Sequence, residues 1–255
     1  VSVTANPAAG PGRRVLAQTR FETGTLLRNG EQLLVALVLP AMALVGLALS
    51  HSPSLGQLNE SRRIDVAVPG VLALAVLSTA FTGQAISTAF DRRYGVLRLL
   101  GVTPLGRGGL LCAKALAVLT IELLQALVIG ALGLALGWHP NWIGLLAGGL
   151  VTLVGTWTFV ALALLLAGTL RAEGVLAVAN LIWVTLLGLG GVIVPPAQLP
   201  PVLSHIATVL PSGALGNGLR AAFIEGRPAV IPLLVLVLWG ALATALASRT
   251  FRWSD

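Results

Sequence analysis

Charge is what this sequence has least of. Only 10% of its 255 residues are Asp, Glu, Lys or Arg, against roughly 25% in an ordinary soluble domain. Sixteen basic and nine acidic side chains cannot coat a globule of this length, which excludes a soluble fold. Cysteine occurs once, at Cys112, so an intrachain disulfide and a cysteine metal cluster are both excluded. At the start of an apolar segment, Cys112 reads as a small buried hydrophobe. Catalytic and nucleotide motifs are missing too. The sequence has no HExxH, no CxxC and no GxxxxGK[ST] loop, so it does not hydrolyse nucleotide by itself. His51, His139 and His205 fall in three separate connections, and no metal site or catalytic residue is assigned. The serine context "LPSGALG" does not match an intramembrane protease.

Apolar residues fill the space: 56% are hydrophobic, 30 are glycine, and mean hydropathy is +0.92. Charged residues are absent from 32–59, 66–90, 123–170 and 174–219. Each stretch has room for the roughly 20 apolar residues that cross a bilayer core about 30 Å thick. The fold class is an all-α polytopic membrane protein. Six spans fit, at about 33–50, 66–90, 110–137, 142–168, 174–194 and 229–248. The run 123–170 is cut at "GWHPN" (137–141), a turn flanked by Trp138 and Trp142 as interfacial anchors. GxxxG at Gly133/Gly137 and Gly144/Gly148 marks close helix packing.

Residues 1–12 read as a disordered tail, and the run that follows is too long and too far in for a cleaved signal peptide. Over 13–30, Arg14, Arg20 and Arg28 alternate with Phe21 and Leu27, with Glu22 between them. That pattern suits a helix lying in the membrane interface, or else a solvated arm. With both termini cytoplasmic, 12 basic residues lie inside (Arg13, Arg14, Arg20, Arg28, Arg92, Arg93, Arg98, Arg107, Lys114, Arg171, Arg249, Arg252). Four lie outside (Arg62, Arg63, Arg220, Arg227), which favours that orientation. The net charge of +7 then reflects topology and anionic lipid rather than nucleic acid. The proline-broken segment 195–228 carries one short apolar run, Val202 to Leu210. It is expected to return to the outer face as a helical hairpin over 197–220.

Two sets of residues carry functional expectations. The loop "FDRRYGVLRLLGVTPLGRGG" (90–109) reads as a short amphipathic helix over 91–100. It is either a membrane-hugging loop with solvated arginines or a knob for a cytoplasmic partner. Thr103-Pro104 then opens the next helix as N-cap and first-turn proline. Within the spans, Glu122 has Gln125 and Lys114 on its side of the helix. The three suit a polar packing network, a transport path, or, for Glu122, silent burial. Trp157, Trp183 and Trp239 sit too deep for an aromatic belt, and either pack or line a path.

The stretches "FETGTLLRN" (21–29), "DRRYGVLRLLGVTPLGR" (91–107) and "LP…LP…R" (Leu199 to Arg220) resemble the permease of ABC-2 type transporters, in the small actinobacterial drug-exporter branch. The likeness covers nearly the whole chain from about residue 13. It implies a six-span half-channel in a bacterial plasma membrane, exporting an amphipathic substrate such as a drug, natural product or lipid-like molecule. It also implies a connecting helix over 13–28 and short outer re-entrant helices over 197–220. A coupling helix over 91–100 would present Asp91, Arg92, Arg93, Tyr94, Gly95, Leu97, Arg98 and Leu100. Two ATP-binding subunits would power transport, with ATP and Mg held on them and no cofactor on this chain. A second permease, identical or paralogous, would complete the channel. Many relatives carry an acidic residue at Arg98 and a basic one at Leu99, so the charge offered to the ATPase differs here. Polysaccharide or glycolipid cargo belongs to the same family. Two other classes fit the composition: an ATPase-independent secondary transporter or channel, and a non-transporting scaffold. The single deep carboxylate and the lack of a paired inverted repeat count against the secondary transporter.

Overall fold

The computed structural model describes residues 10–49 and 60–251, which form helices and turns with no β-strand among them. Helix α1 covers Pro11–Arg28 and α2 covers Gly30–Leu49. Helix α3 (Glu60–Val76), a π-helical segment (Leu77–Gly83) and α4 (Gln84–Arg93) run on as one rod. A single short helix, α5 (Val96–Gly101), precedes the 30-residue α6 (Gly106–Ala135). Then come α7 (Leu145–Ala167), α8 (Ala172–Leu189), α9 (Pro201–Val209), α10 (Pro211–Glu225) and α11 (Val230–Thr250). Five helices are long and apolar enough to cross a membrane. A sixth is counted if α1 and α2, bent by 68°, are taken as one broken span.

Contacts at the two ends fix an antiparallel order. At one end Arg92 reaches the carbonyls of Ala167 and Leu170, Arg93 pairs with Glu173, and Gly168 abuts Phe251. At the other end the His139 amide donates to Asp65, the Asn141 amide to the Phe223 carbonyl, and Arg63 to the Leu47 carbonyl. Helix α7 occupies the centre, with Phe159, Val160 and Ala163 fully buried against α11, α10 and the π segment. Helices α2, α8 and α11 leave Leu39, Met42, Leu181, Val184, Leu238 and Leu242 exposed. These are the surfaces that a chain with so few charges turns toward lipid.

Several expectations need correction. The helix begins at Pro11, a favoured first-turn residue, so residues 11–12 are not tail; residues 1–9 lie outside the described residues. The second span is longer than 66–90, reaching Arg93. The segment 91–100 is therefore two pieces: Asp91, Arg92 and Arg93 end the long rod. Gly95, at φ 78°, breaks the chain before α5, the left-handed stop glycine supplies without strain. Thr103 does not cap the next helix; its hydroxyl donates back to the Leu100 carbonyl at 2.6 Å. Helix α6 starts only at Gly106. The fifth span closes at Leu189 rather than 194. Trp138 is 6% exposed and packs edge-on to Phe223 with ring centroids 5.6 Å apart, so it is no interfacial anchor. Cys112 is exposed, because its neighbours Ala113 and Lys114 take the inward face of α6.

Backbone contacts pin the α9 end. A Cβ on Gly144 would lie 1.8 Å from the Ala222 carbonyl oxygen, whereas one on Gly149 would meet nothing within 4 Å. Gly144→Ala is expected to destabilise the purified protein by about 1–3 kcal/mol, seen as a lower melting temperature. Gly149→Ala, on the same hairpin arm, is expected to be neutral or slightly stabilising.

Candidate functional site

Two places gather the few polar side chains. The first is the end of the bundle that carries α5. Lys114 lies two turns into α6 and has no exposed surface. Its ammonium donates to Glu22 on α1 at 3.1 Å and to Asp91 on α4 at 3.2 Å. Glu22 also accepts from Gln18 at 2.9 Å. Three helices distant in sequence thus meet at one cation. Arg14 adds a bond to the Pro104 carbonyl at 2.9 Å, fixing α1 to the turn before α6. Arg92 is buried, and its guanidinium donates to carbonyls at the end of α7, where the helix dipole is negative.

The same frame holds α5. Leu97 has no exposed surface and belongs to the main core. Around it Tyr94 is 74% exposed, Leu99 70% and Val102 84%. Arg93 and Arg98 are exposed beside them, and Tyr94 stacks on Phe90. The result is a small apolar knob with a basic rim, anchored from behind.

The second place is a cleft of about 420 Å³ in mid-bundle, between α2, the π segment, α6 and α8. Its origin is legible in covalent chemistry. Pro40 has no N–H, which leaves the Ala36 carbonyl without its helical donor. Gln125 supplies one, donating to that oxygen at 2.8 Å and reaching Thr79 at 3.0 Å. The π segment turns Ser78, Thr79 and Thr82 toward the cleft, and Trp183 donates to Ser78 at 3.0 Å. π-Helical turns recur at functional positions. A second cavity, of about 250 Å³, opens on the other side of Gln125 and is lined by Glu122. One Glu122 carboxyl oxygen meets the Thr156 hydroxyl; the other has no partner in the protein.

Residues 13–224 match the family model described as ABC-2 type transporter. The chain belongs to the ABC-2 type transporter family. It is 26% identical over 250 residues to the probable doxorubicin resistance ABC transporter permease protein DrrC of Mycobacterium tuberculosis, in each of two strains. The alignment covers 90% of this chain and 84% of that protein. This ABC-2 permease is therefore a multi-pass membrane transport subunit of the exporter class. Among its described residues no group of three or more His, Cys, Asp or Glu is placed to hold a metal ion.

In the ABC-2 permease the residues singled out by sequence fall into five groups. Tyr94, Arg93 and Arg98 share one exposed surface, with Leu100 half-buried behind them. Asp91, Arg92 and Leu97 face inward, and Glu22 joins them through Lys114. Arg20, Phe21, Leu27 and Arg28 lie on the exposed side of α1. Gln125 and Trp183 line the cleft, and Glu122 lines the neighbouring cavity. Trp157 packs on Gly240, and Trp239 donates to the Val209 carbonyl at 3.0 Å, so both lock helices together outside the cleft. Lys114 does not join Glu122 and Gln125: eight residues of helix carry it to the α5 end. Sequence reasoning missed Asn180, which lines the cleft from a span where an amide is conspicuous among apolar residues. It also missed the pairing of Lys114 with α1, which no local spacing encodes.

Removing the cation should be costly. Lys114→Met leaves two carboxylates facing each other in a buried site and is expected to destabilise the protein by about 3–5 kcal/mol. Adding Glu22→Gln and Asp91→Asn to that variant is expected to restore part of the loss. Melting temperatures of the three purified proteins in one detergent check both statements.

Proposed function

We propose that this chain is one half of an export channel in a bacterial plasma membrane, powered by two separate ATP-binding subunits that hold ATP and Mg. The α5 end faces the cytoplasm, along with both termini, in keeping with the excess of basic residues there. Helix α1 lies across the inner interface as a connecting helix, and its 68° bend to α2 suits that role. Helices α9 and α10 enter from the outer face and return without crossing. At nine and 15 residues, both are short for a bilayer about 30 Å thick.

The observation that carries this reading is the anchored knob. An exposed apolar patch with a charged rim is the kind of surface that marks a protein interface. Tyr94, Leu99 and Val102 enter a groove on the ATPase, while Arg93 and Arg98 orient it through partner carboxylates. Movement of that groove is transmitted through Leu97 into the core and through Lys114 into α1. The cleft between α2 and α8 is closed by a second permease, this chain or a paralogue. Its wall, apolar with Ser78, Thr79, Gln125, Asn180 and Trp183 as polar points, suits an amphipathic, drug-like cargo. The name of the mycobacterial relatives points to the same class of cargo.

Substituting Tyr94 and Leu99 together by Asp separates docking from folding, since both side chains are exposed. The double variant is expected to insert at wild-type yield and to lose copurification with the ATP-binding subunit at least about tenfold, a cost of about 1.4 kcal/mol. Wild-type copurification would contradict the docking role and favour a loop that rests on lipid.

A further inference from the structure

In mid-bundle a carboxyl group is buried with no cation beside it. Glu122, on α6, is 4% exposed. One of its oxygens meets the Thr156 hydroxyl, which also lies 2.8 Å from the Thr152 carbonyl. A hydroxyl has a single proton to donate, so it cannot satisfy both oxygens. The other carboxyl oxygen has no partner in the protein. Among the described residues the ion pairs are those of Arg93, Lys114 and Arg227. Lys114, on the same helix, is held at the α5 end by Glu22 and Asp91. A carboxylate left in this state is costly and is stabilised by whatever brings it positive charge.

The same side chain lines the cavity of about 250 Å³. Its other polar lining residues are Gln125 and Thr152, and the rest of the wall is apolar. Phe223 adds an aromatic ring, seated against Gly148, where a Cβ would come within 2.8 Å of it. A Cβ on Gly149 would meet nothing within 4 Å, so there is open space beside α7. Leu123 and Leu145, 63% and 54% exposed, carry the wall out to the surface of α6 and α7. The free oxygen of Glu122 is covered. A turn about the last torsion of the side chain, which is a broad one, presents a carboxyl oxygen to the cavity.

We propose that this cavity binds the protonated amino group of an amphipathic cargo, with Glu122 as its counter-ion. The ammonium enters from the membrane between α6 and α7 and donates to the carboxylate, and the Thr152 hydroxyl accepts a second N–H. The apolar body lies along Leu123 and Phe223. A metal cation would need roughly six oxygens to replace its water, and three polar side chains do not provide them. An organic ammonium brings its own apolar surface, which matches the wall. The inference rests on the reading of this chain as an exporter of amphipathic molecules, and adds that the cargo carries a positive charge.

The test is binding of a fluorescent primary amine, dansylcadaverine, and of its neutral N-acetyl derivative to the full chain in neutral detergent at pH 7. Fluorescence anisotropy is read against protein-free micelles. The wild type is expected to bind the amine about tenfold more tightly than the acetylated form. Glu122→Gln keeps the shape and removes the charge. It is expected to bring that preference close to unity while leaving the affinity for the acetylated form and the melting temperature unchanged. Gly149→Leu fills the open space from the exposed side of α7 and is expected to weaken binding of the amine severalfold. Equal binding of the two probes by the wild type would overturn the proposal, as would an undiminished preference in Glu122→Gln or unimpaired amine binding in Gly149→Leu. Binding needs neither ATP nor a partner. Absence of ATP-driven export with the preference intact would therefore count against the exporter reading and leave the site standing. ATP-driven export of the acetylated form in preference to the amine would overturn the site and leave the exporter reading standing.

Discussion

Lys114 is a full positive charge with no exposed surface, and one end of the molecule is arranged around neutralising it. An ammonium in that position persists only with anions at hydrogen-bonding distance. Glu22 and Asp91 supply them from α1 and α4, so neither helix can leave α6 without exposing an unpaired charge. Helix α1 also packs along α6 and is tied by Arg14 to the Pro104 carbonyl, while Arg20, Phe21, Leu27 and Arg28 stay exposed. The position of α5 follows, since it hangs between α4 and α6 and plugs the core with Leu97. A knob fixed this way can transmit a push, whereas a free loop would absorb it.

Inside the apolar bundle the governing rule is that no backbone group stays unpaired. Pro40 would violate it at Ala36, and Gln125 repairs the violation from another helix. The repair brings an amide to mid-bundle beside the hydroxyls of the π segment. Polarity in the cleft is thus partly a consequence of helix chemistry and not an addition to it. Arginines do similar work at the ends. Arg63 and Arg92 donate to carbonyls at the ends of α2 and α7, and Arg220 to the turn after α8. These residues look like topology signals in the sequence, and in the structure they also close helices.

The architecture was largely legible because uncharged runs of bilayer length leave few alternatives. The "GWHPN" turn and the proline-rich stretch before the last helix mark their boundaries by composition. Gly95 was equally readable as a helix stop after "DRRY", but weighing the segment as one amphipathic helix hid it. What could not be read was tertiary. Leu97 and Leu99 are the same residue type two positions apart, and only packing decides that one is core and the other surface. Lys114 and Glu122 lie on one helix, yet their partners come from α1, α4 and α7, at separations no periodicity reveals. The site residues that failed as exposed contacts, Arg92 and Leu97, failed for that reason.

The claim on which the account turns is that this permease moves cargo only when an ATPase drives it. Reconstitution into proteoliposomes of the permease alone, the ATP-binding subunit alone, and the two together tests it directly, with flux of a fluorescent amphipathic cation as the readout. The account predicts flux above the lipid background only when both proteins and ATP are present. Ion-gradient-driven flux with the permease alone, unchanged when the ATPase and ATP are added, would contradict it.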